Sequence, residues 1–119
     1  MILADTSVWI EHFRKGGPAL KELLDHGLVL MHTAVRGELA CGCLAERSQT
    51  LRYLGALPRA KTATDAEILQ LIEDRKLWRL GVGWIDVHLI ASSLLSRCVL
   101  WTLDRRLKQA AAGATVTVY

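Results

Sequence analysis

Short apolar runs alternate with longer stretches of helical periodicity along the whole chain. The runs MILA (residues 1–4), LVLMH (28–32) and VLWT (99–102) are continuous and apolar, which is typical of strands buried on both faces of a parallel sheet. We predict further strands at residues 59–63 and in the alternating TVTVY at 115–119. Strands that alternate with helices indicate an α/β domain with a central, mainly parallel sheet.

The segments between the strands carry helix start and stop signals. Gly and Pro punctuate them, and Thr or Asp precedes several of them, as N-caps do. Thr64 and Glu67 form a capping-box pattern. The predicted helices cover residues 8–15, 18–26, 34–45, 47–57 and 65–78, the segment after the glycines at 81 and 83, and a short segment from 105 to Gly113.

Length and composition predict one globular domain over residues 1–119. The chain is 51% hydrophobic and 23% charged, which excludes a disordered protein. No apolar run reaches the roughly 18 residues that a bilayer span needs. The N-terminal MILADTSVWIEHF has no basic segment before its apolar residues, so it does not read as a signal peptide. We therefore expect a cytoplasmic protein without membrane contact.

Two acidic residues lie where helices otherwise read as apolar. In GVGWIDVHLIASSLL (81–95), Asp86 is flanked on the helix by Leu89 and Ile90. Glu38 shares a helix face with small residues, which leaves room beside it. Both acids have alternative explanations without a site. Asp86 would be a first-turn acid that complements the helix dipole. Glu38 would be a glutamate that reaches solvent from the edge of its helix.

Two further acids follow predicted strands. Asp5 comes directly after MILA, and Asp104 follows VLWT after one residue, so both are expected at the carboxyl edge of the sheet, where α/β proteins bind ligands. Plain N-capping is the alternative for each of them. If the four acids converge, they repel one another and favour a bound cation. An all-oxygen site is typical of Mg²⁺ or Mn²⁺, and these ions promote phosphodiester hydrolysis.

The cysteines do not complete a metal site of another kind. Cys41 and Cys43 are too few for a closed thiolate site, and no second Cys or His pair has suitable spacing. We expect all three cysteines, including Cys98, to be small buried side chains.

The four acidic segments, taken in order, resemble the PIN-domain ribonucleases, specifically VapC-type toxins of bacterial toxin–antitoxin pairs. The resemblance rests on MILADTSVWIEHF, MHTAVRGELACG, GVGWIDVHLIASSLL and LWTLDRRL, and it extends over almost the whole chain. It implies a three-layer α/β/α sandwich whose acidic centre would hold Mg²⁺ or Mn²⁺. Asp5 and Asp86 would be the principal metal ligands, Glu38 and Asp104 would complete the site or orient water, and Thr6 and Thr102 would support the carboxylates.

The resemblance also implies partners. VapC-like proteins cut RNA, often transfer or ribosomal RNA, generally form homodimers, and are silenced by a cognate VapB-like antitoxin. The net charge of +3 suits such a polyanionic substrate. Candidate RNA contacts are Arg79, Arg105 and Arg106, with Trp84 as the one tryptophan expected to stack on a base, since Trp9, Trp78 and Trp101 lie in apolar stretches that indicate the core.

Three other functions are open at this stage. An RNA-processing PIN nuclease without a toxin role has the same acids, and only its genetic neighbourhood and its effect on growth would separate the two. A non-catalytic α/β binding module would be expected to lack one or more of the acids. A phosphoacceptor receiver domain needs paired acids after the first strand and a late lysine, and neither is present.

Overall fold

A three-stranded parallel sheet lies at the centre of the computed structural model, which describes residues 1–119. Its strands are β1 (Ile2–Ala4), β2 (Val29–Leu30) and β3 (Val99–Trp101), in the order β2-β1-β3. Leu3 of β1 is in register with Leu30 on one side and Leu100 on the other. All strand pairs are parallel, and the sheet lies within a sandwich of helices, which confirms the α/β/α prediction.

Seven helices connect and cover the strands. Three of them begin at predicted caps: Asp5 accepts a hydrogen bond from the Val8 N–H, Thr64 and Glu67 form the reciprocal capping box, and Asp104 caps α7. The helices are α1 (Thr6–Lys15), α2 (Pro18–Asp25), α3 (Thr33–Ala40), α4 (Arg47–Ala56), α5 (Asp65–Arg75), α6 (Trp84–Ser96) and α7 (Arg105–Gly113), with a 3₁₀ turn at Leu77–Arg79.

Several predicted elements are shorter than expected. The strand at 59–63 is reduced to one bridge between Arg59 and Met31, and the strand at 115–119 to one between Val118 and Leu100. Helix α3 ends at Ala40 instead of residue 45. The sequence CGC follows it, and a glycine flanked by residues of modest helix propensity does not sustain another turn.

One hydrophobic core joins the sheet to the helices. Leu3 and Leu100 from the strands, Trp9 from α1, Ile90 from α6 and Leu107 from α7 are completely or almost completely buried within it. Helix α6 is buried over most of its length, because Ser92 and Ser93 lie inside along with its apolar residues. None of the helices is both long enough and apolar enough to cross a bilayer.

Some side chains expected in the core lie at the surface. Trp78 is 63% exposed and Trp101 is only partly buried, whereas Trp9 is buried as predicted. Cys41 and Cys43 are exposed and only Cys98 is buried, so the expectation of three buried cysteines is wrong for two of them. All three thiols are free. Trp78 belongs to the short 3₁₀ turn, whose single turn buries Leu77 and leaves the neighbouring indole outside.

Candidate active site

The carboxyl ends of the three parallel strands meet at one edge of the sheet. Asp5 follows β1, His32 closely follows β2, and Thr102 follows β3. Helix α6 packs against β3, and its last turn leads directly into the start of that strand. The first turn of α6, which carries Asp86, therefore lies toward the carboxyl edge of the sheet. Helix α3, which carries Glu38, packs against α1.

Asp5 is the most completely held of the acids. Its side chain is buried, with 6% exposure, yet it accepts three hydrogen bonds. One carboxylate oxygen accepts from the Val8 N–H at 3.2 Å and from the Ser7 hydroxyl, and the other accepts from the Thr102 hydroxyl. These donors satisfy the buried charge and fix the carboxylate direction. Capping and site formation are therefore two roles of the same side chain.

Thr102 connects two of the acids. Its hydroxyl donates to Asp5 and also accepts the N–H of Asp104 at 2.9 Å. Asp104 caps α7 in turn, with one carboxylate oxygen accepting the N–H of Arg106 at 2.8 Å and that of Leu107 at 3.3 Å. Capping therefore occupies Asp104 Oδ1, while Oδ2 takes no part in it.

Glu38 is positioned by the other predicted supporting residue. The Thr6 hydroxyl donates to Glu38 Oε1 at 2.6 Å, across the contact between α1 and α3. Thr6 is the first residue of α1 and directly follows Asp5, the N-cap of that helix. The start of α1 therefore contacts the carboxylates of both Asp5 and Glu38. Glu38 itself is exposed, as a side chain at the rim of a cleft would be.

Asp86 responds electrostatically to the other three acids. Burial raises the pKa of Asp86 above its ordinary 3.8, and the charges of Asp104, Asp5 and Glu38 raise it further, against a hydrogen bond from the Gly83 N–H that lowers it. Like charges raise the pKa of a carboxyl group only when they are near. The charges of the other three acids predicted from the sequence thus all act on Asp86.

None of these four carboxylates has a cationic partner. The ion pairs in the structure join Glu11 to Arg14 and Lys15, and Lys21 to Asp25, all on the surface of α1 and α2. Unneutralised carboxylates with oxygen donors only are the ligand set that hard divalent cations prefer. The side chains are not gathered into one coordination sphere, since no three Asp, Glu, His or Cys groups have the spacing of a metal site.

The candidate RNA contacts are all exposed, and two of them have identifiable neighbours. The Arg79 guanidinium lies over the Trp78 ring, 5.7 Å from its centroid. Arg106 lies against Gly81, whose φ of +72° is one that glycine adopts readily and where an added Cβ would stand 3.3 Å from the Arg106 side chain. Arg105 and Trp84 also face solvent. Basic side chains therefore lie in the 3₁₀ turn before α6 and in the first turn of α7.

Sequence reasoning missed one residue that organises the site. Ser7 donates to Asp5 at 2.5 Å and accepts the Leu103 N–H at 3.0 Å, so it ties α1 to the segment after β3. The only signal for this role was its place in Asp5-Thr6-Ser7, where a capping hydroxyl explains it equally well.

An apolar groove of about 430 Å³ runs beside Glu38. Ile10 and Phe13 of α1 form one wall, and Leu39 and Leu44 belong to the other side, with Arg14 also at its surface. Ile10 and Phe13 are both more than 40% exposed. An apolar segment bound in this groove would lie directly against the acid on α3.

Comparison with known proteins identifies the relatives of this arrangement. The profile of the PIN-domain family matches residues 2–113. Ribonuclease VapC32 of Mycobacterium tuberculosis, in each of two strains, is 41% identical over 119 residues, which is 99% of this chain and 96% of that protein. The crystal structure of PAE2754 from Pyrobaculum aerophilum has the same fold, with a TM-score of 0.64 over 98% of this chain and 89% of that one, at 17% identity.

Proposed function

Since the chain belongs to the PIN-domain family, in its VapC group, we propose that it is an endoribonuclease that hydrolyses RNA phosphodiester bonds with Mg²⁺ or Mn²⁺, as the toxin of a toxin–antitoxin pair. The observation that carries the proposal is the set of hydroxyl bonds at the sheet edge, in which Thr102 joins Asp5 to Asp104 and Thr6 holds Glu38. Neither these three acids nor Asp86 has a cationic partner. The name of the Mycobacterium tuberculosis relative supports the same reaction.

Asp5 and Asp86 are proposed as the principal metal ligands. Mg²⁺ commonly takes one or two protein carboxylates and completes its shell with water and substrate phosphate, so these two residues suffice without a compact cage. When bound, such a cation supplies an activated water and neutralises charge on the attacked phosphate. Thr102 and Ser7 hold Asp5 in a fixed direction, and Thr6 does the same for Glu38.

The other two acids have supporting parts in this proposal. Glu38 is exposed and held by Thr6, so it is placed to accept a proton from an attacking water. Asp104 keeps one oxygen for α7 and offers the other to the site. Arg79, Arg105 and Arg106 would hold the phosphates that flank the cleaved bond, on an RNA that is single-stranded there.

The central test is RNA cleavage by the purified protein. We expect cleavage of transfer or ribosomal RNA with Mg²⁺ or Mn²⁺ and none in EDTA. Asp86→Asn should reduce the rate at least about 100-fold, since it removes a proposed ligand. Asp74→Asn, which changes an exposed acid on α5, should retain full activity. Cleavage by Asp86→Asn at the wild-type rate would refute the site assignment.

The toxin role adds two partners to the proposal. A cognate VapB-like antitoxin would bind the apolar groove of Ile10, Phe13, Leu39 and Leu44, and its presence against Glu38 would block the acids. The protein would act in the cytoplasm as a homodimer, and residues 1–119 would form one PIN domain. Sedimentation equilibrium tests the dimer, which a monomer at micromolar concentration would contradict.

Growth experiments separate a toxin from an RNA-processing enzyme. Induction should arrest growth, and co-expression of the small protein encoded beside the gene should relieve the arrest. Phe13→Asp should weaken that relief, because it places a charge in the apolar groove, while leaving RNA cleavage intact. Tyr53→Asp, on the exposed face of α4, is the control. Normal growth on induction of an active enzyme would reject the toxin role.

A further inference from the structure

A second cleft lies at the same edge of the sheet, on the far side of the first turn of α6. It is open, has a volume of about 460 Å³, and is bordered by residues from three segments. These include His32, Thr33, Thr62, Asp65, Trp84 and His88. Trp84 and His88 are four residues apart on α6 and share a face, whereas Asp86, midway between them, turns about 160° away. RNA that crosses the amino end of α6 from the acids would reach this cleft.

An aromatic platform forms one wall of the cleft. Trp84 is 43% exposed, although its ring lies only 4.9 Å from that of His88, centroid to centroid, at 72°. This edge-to-face contact fixes the indole while much of its surface stays in solvent. A large aromatic side chain held rigidly in water is what a stacked base requires, and stacking is how proteins commonly bind unpaired bases.

A buried donor lies beneath the platform. His32 is 3% exposed, and its Nδ1 accepts the Ala34 N–H at 2.9 Å, which places the ring proton on Nε2. That Nε2 has no hydrogen-bond partner in the structure. The His88 ring lies beside the His32 ring, with the two centroids 6.1 Å apart at 71°. His88 is only partly buried, so rotation of its ring would expose the donor to a bound acceptor.

The chemistry of the lining selects the class of ligand. No lysine or arginine lines the cleft and Asp65 does, so a phosphate is disfavoured there. A metal is disfavoured as well, because the Nε2 of His32 carries the proton and has no free lone pair. A flat, uncharged group with acceptor atoms at its edge fits the rigid indole, the buried donor and the two threonine hydroxyls.

We propose that this cleft binds one unpaired nucleobase of the RNA substrate, stacked on Trp84, with His32 Nε2–H donating to an acceptor on the base. The inference rests on the proposed ribonuclease function and adds a subsite that discriminates between bases beside the cleaved bond. His32 and Trp84 thereby become specificity residues, while the acids carry the reaction.

Binding of short single-stranded oligoribonucleotides in EDTA tests the platform without cleavage. The probes are oligo(A), oligo(C), oligo(U) and an abasic ribose-phosphate chain of the same length. Trp84→Ala should weaken binding of at least one oligonucleotide about 5- to 100-fold, the range for loss of one stacked base, and leave the abasic chain unaffected. Trp84→Phe should restore most of the affinity. Tyr53→Ala, an exposed aromatic on α4, is the matched control.

Two substitutions of His32 separate the donor from the cap. His32→Asn retains an acceptor for the Ala34 N–H and removes the Nε2 donor, whereas His32→Gln retains a donor near Nε2. We expect His32→Asn to reduce the discrimination between bases about 3- to 10-fold and His32→Gln to preserve more of it. Thermal melting of both variants verifies that each is folded.

Cleavage kinetics distinguish failure of this subsite from failure of the enzyme. With Mg²⁺, Trp84→Ala should raise the half-saturating RNA concentration while the maximal rate changes little. Wild-type protein that cuts no RNA would refute the proposed function, and the binding probes would still decide the subsite. An active enzyme with Trp84→Ala and His32→Asn indistinguishable from Tyr53→Ala overturns the inference. Loss of antitoxin binding alone, with RNA binding unchanged, also overturns it and assigns the cleft to a protein partner.

Discussion

The ionised carboxylate of Asp86 lowers the free energy of unfolding, although the proposed metal site needs it in that form. Because burial and the three neighbouring acids raise its pKa above 3.8, the folded chain holds the Asp86 proton more tightly than the unfolded chain does. The free energy of unfolding of the metal-free protein therefore falls as pH rises through the window between the unfolded and folded pKa values. Above that window, Asp86 is ionised in both states and the loss in the free energy of unfolding is complete.

Asp86→Asn should accordingly raise the free energy of unfolding of the metal-free protein at pH 7, because asparagine cannot ionise and keeps an acceptor for the Gly83 N–H. Thermal melting in EDTA measures the gain, which should vanish near pH 3, where Asp86 is protonated in both states. Mg²⁺ should raise the melting temperature of the wild type more than that of the variant. Asp74→Asn should show neither effect, and an equal gain there would contradict this account.

Thr102 is the residue on which two acids depend. Thr102→Val has nearly the same shape but removes the donor to Asp5 and the acceptor for the Asp104 N–H, both in a buried place. We expect a loss of about 1–3 kcal/mol in the free energy of unfolding and a fall of about 10- to 100-fold in kcat. Thr102→Ser keeps the hydroxyl and should recover most of both. Urea unfolding and cleavage assays supply the two numbers.

At the scale of elements, we expect the substitution of glycine by alanine to have opposite effects on stability at two positions. Gly37 lies inside α3 with open space around its Cα, so Gly37→Ala should stabilise the protein by about 0.5–1 kcal/mol without altering cleavage. Gly81 has φ +72° and faces Arg106, so Gly81→Ala should cost about 1–2 kcal/mol and weaken RNA binding as Arg106 is displaced. Equilibrium urea unfolding of the pair tests this, and a shared sign would contradict it.

Strand and cap signals were sufficient to predict the architecture, because they are local. MILA, LVLMH and VLWT each form part of the sheet, and Asp5, Thr64 and Asp104 each cap the predicted helix. One failure is local, since the glycine of CGC ends α3 at Ala40. The others depend on tertiary packing: Trp78 lies outside the core, and two short strands shrink to single bridges. The pairing of Ser7 with Leu103 spans 96 positions, and no local pattern encodes it.

The family of this chain is established, whereas the roles of its four acids are predictions. Membership of the PIN-domain family and its VapC group is confirmed by the profile match and by the 41% identity to VapC32. The roles of Asp5, Glu38, Asp86 and Asp104 stay predictions. Each acid alone has a bland explanation, and for Asp5 and Asp104 the capping bonds are present as well. What distinguishes a site from four separate caps and surface acids is that Thr102 joins Asp5 to Asp104, that Thr6 holds Glu38 next to Asp5, and that all three charges act on Asp86.

At the scale of the whole molecule, the proposed site is acidic and the surface around it is basic. The chain carries 15 basic and 12 acidic residues, and only three basic residues are in ion pairs. Four of the acids are proposed to form the site at the sheet edge, and without them the remaining surface is more basic than the net charge of +3 suggests. Arg79, Arg105 and Arg106 belong to that surface and have no carboxylate partner. Such a surface attracts a polyanion, and the proposed acidic site would bind its phosphates only with a cation.

This division predicts how RNA affinity changes with salt. The logarithm of the binding constant should fall linearly with the logarithm of salt concentration, by about 0.7 for each phosphate contact on single-stranded RNA. Arg105→Gln and Arg106→Gln should each lower that slope by about 0.7 and weaken binding for every sequence alike, because phosphate contacts carry no base information. Lys21→Gln on α2, where the ammonium already pairs with Asp25, should leave the slope unchanged. Titrations in EDTA over a range of salt measure the slopes, and a wild-type slope in both arginine variants would place the RNA path elsewhere on the surface.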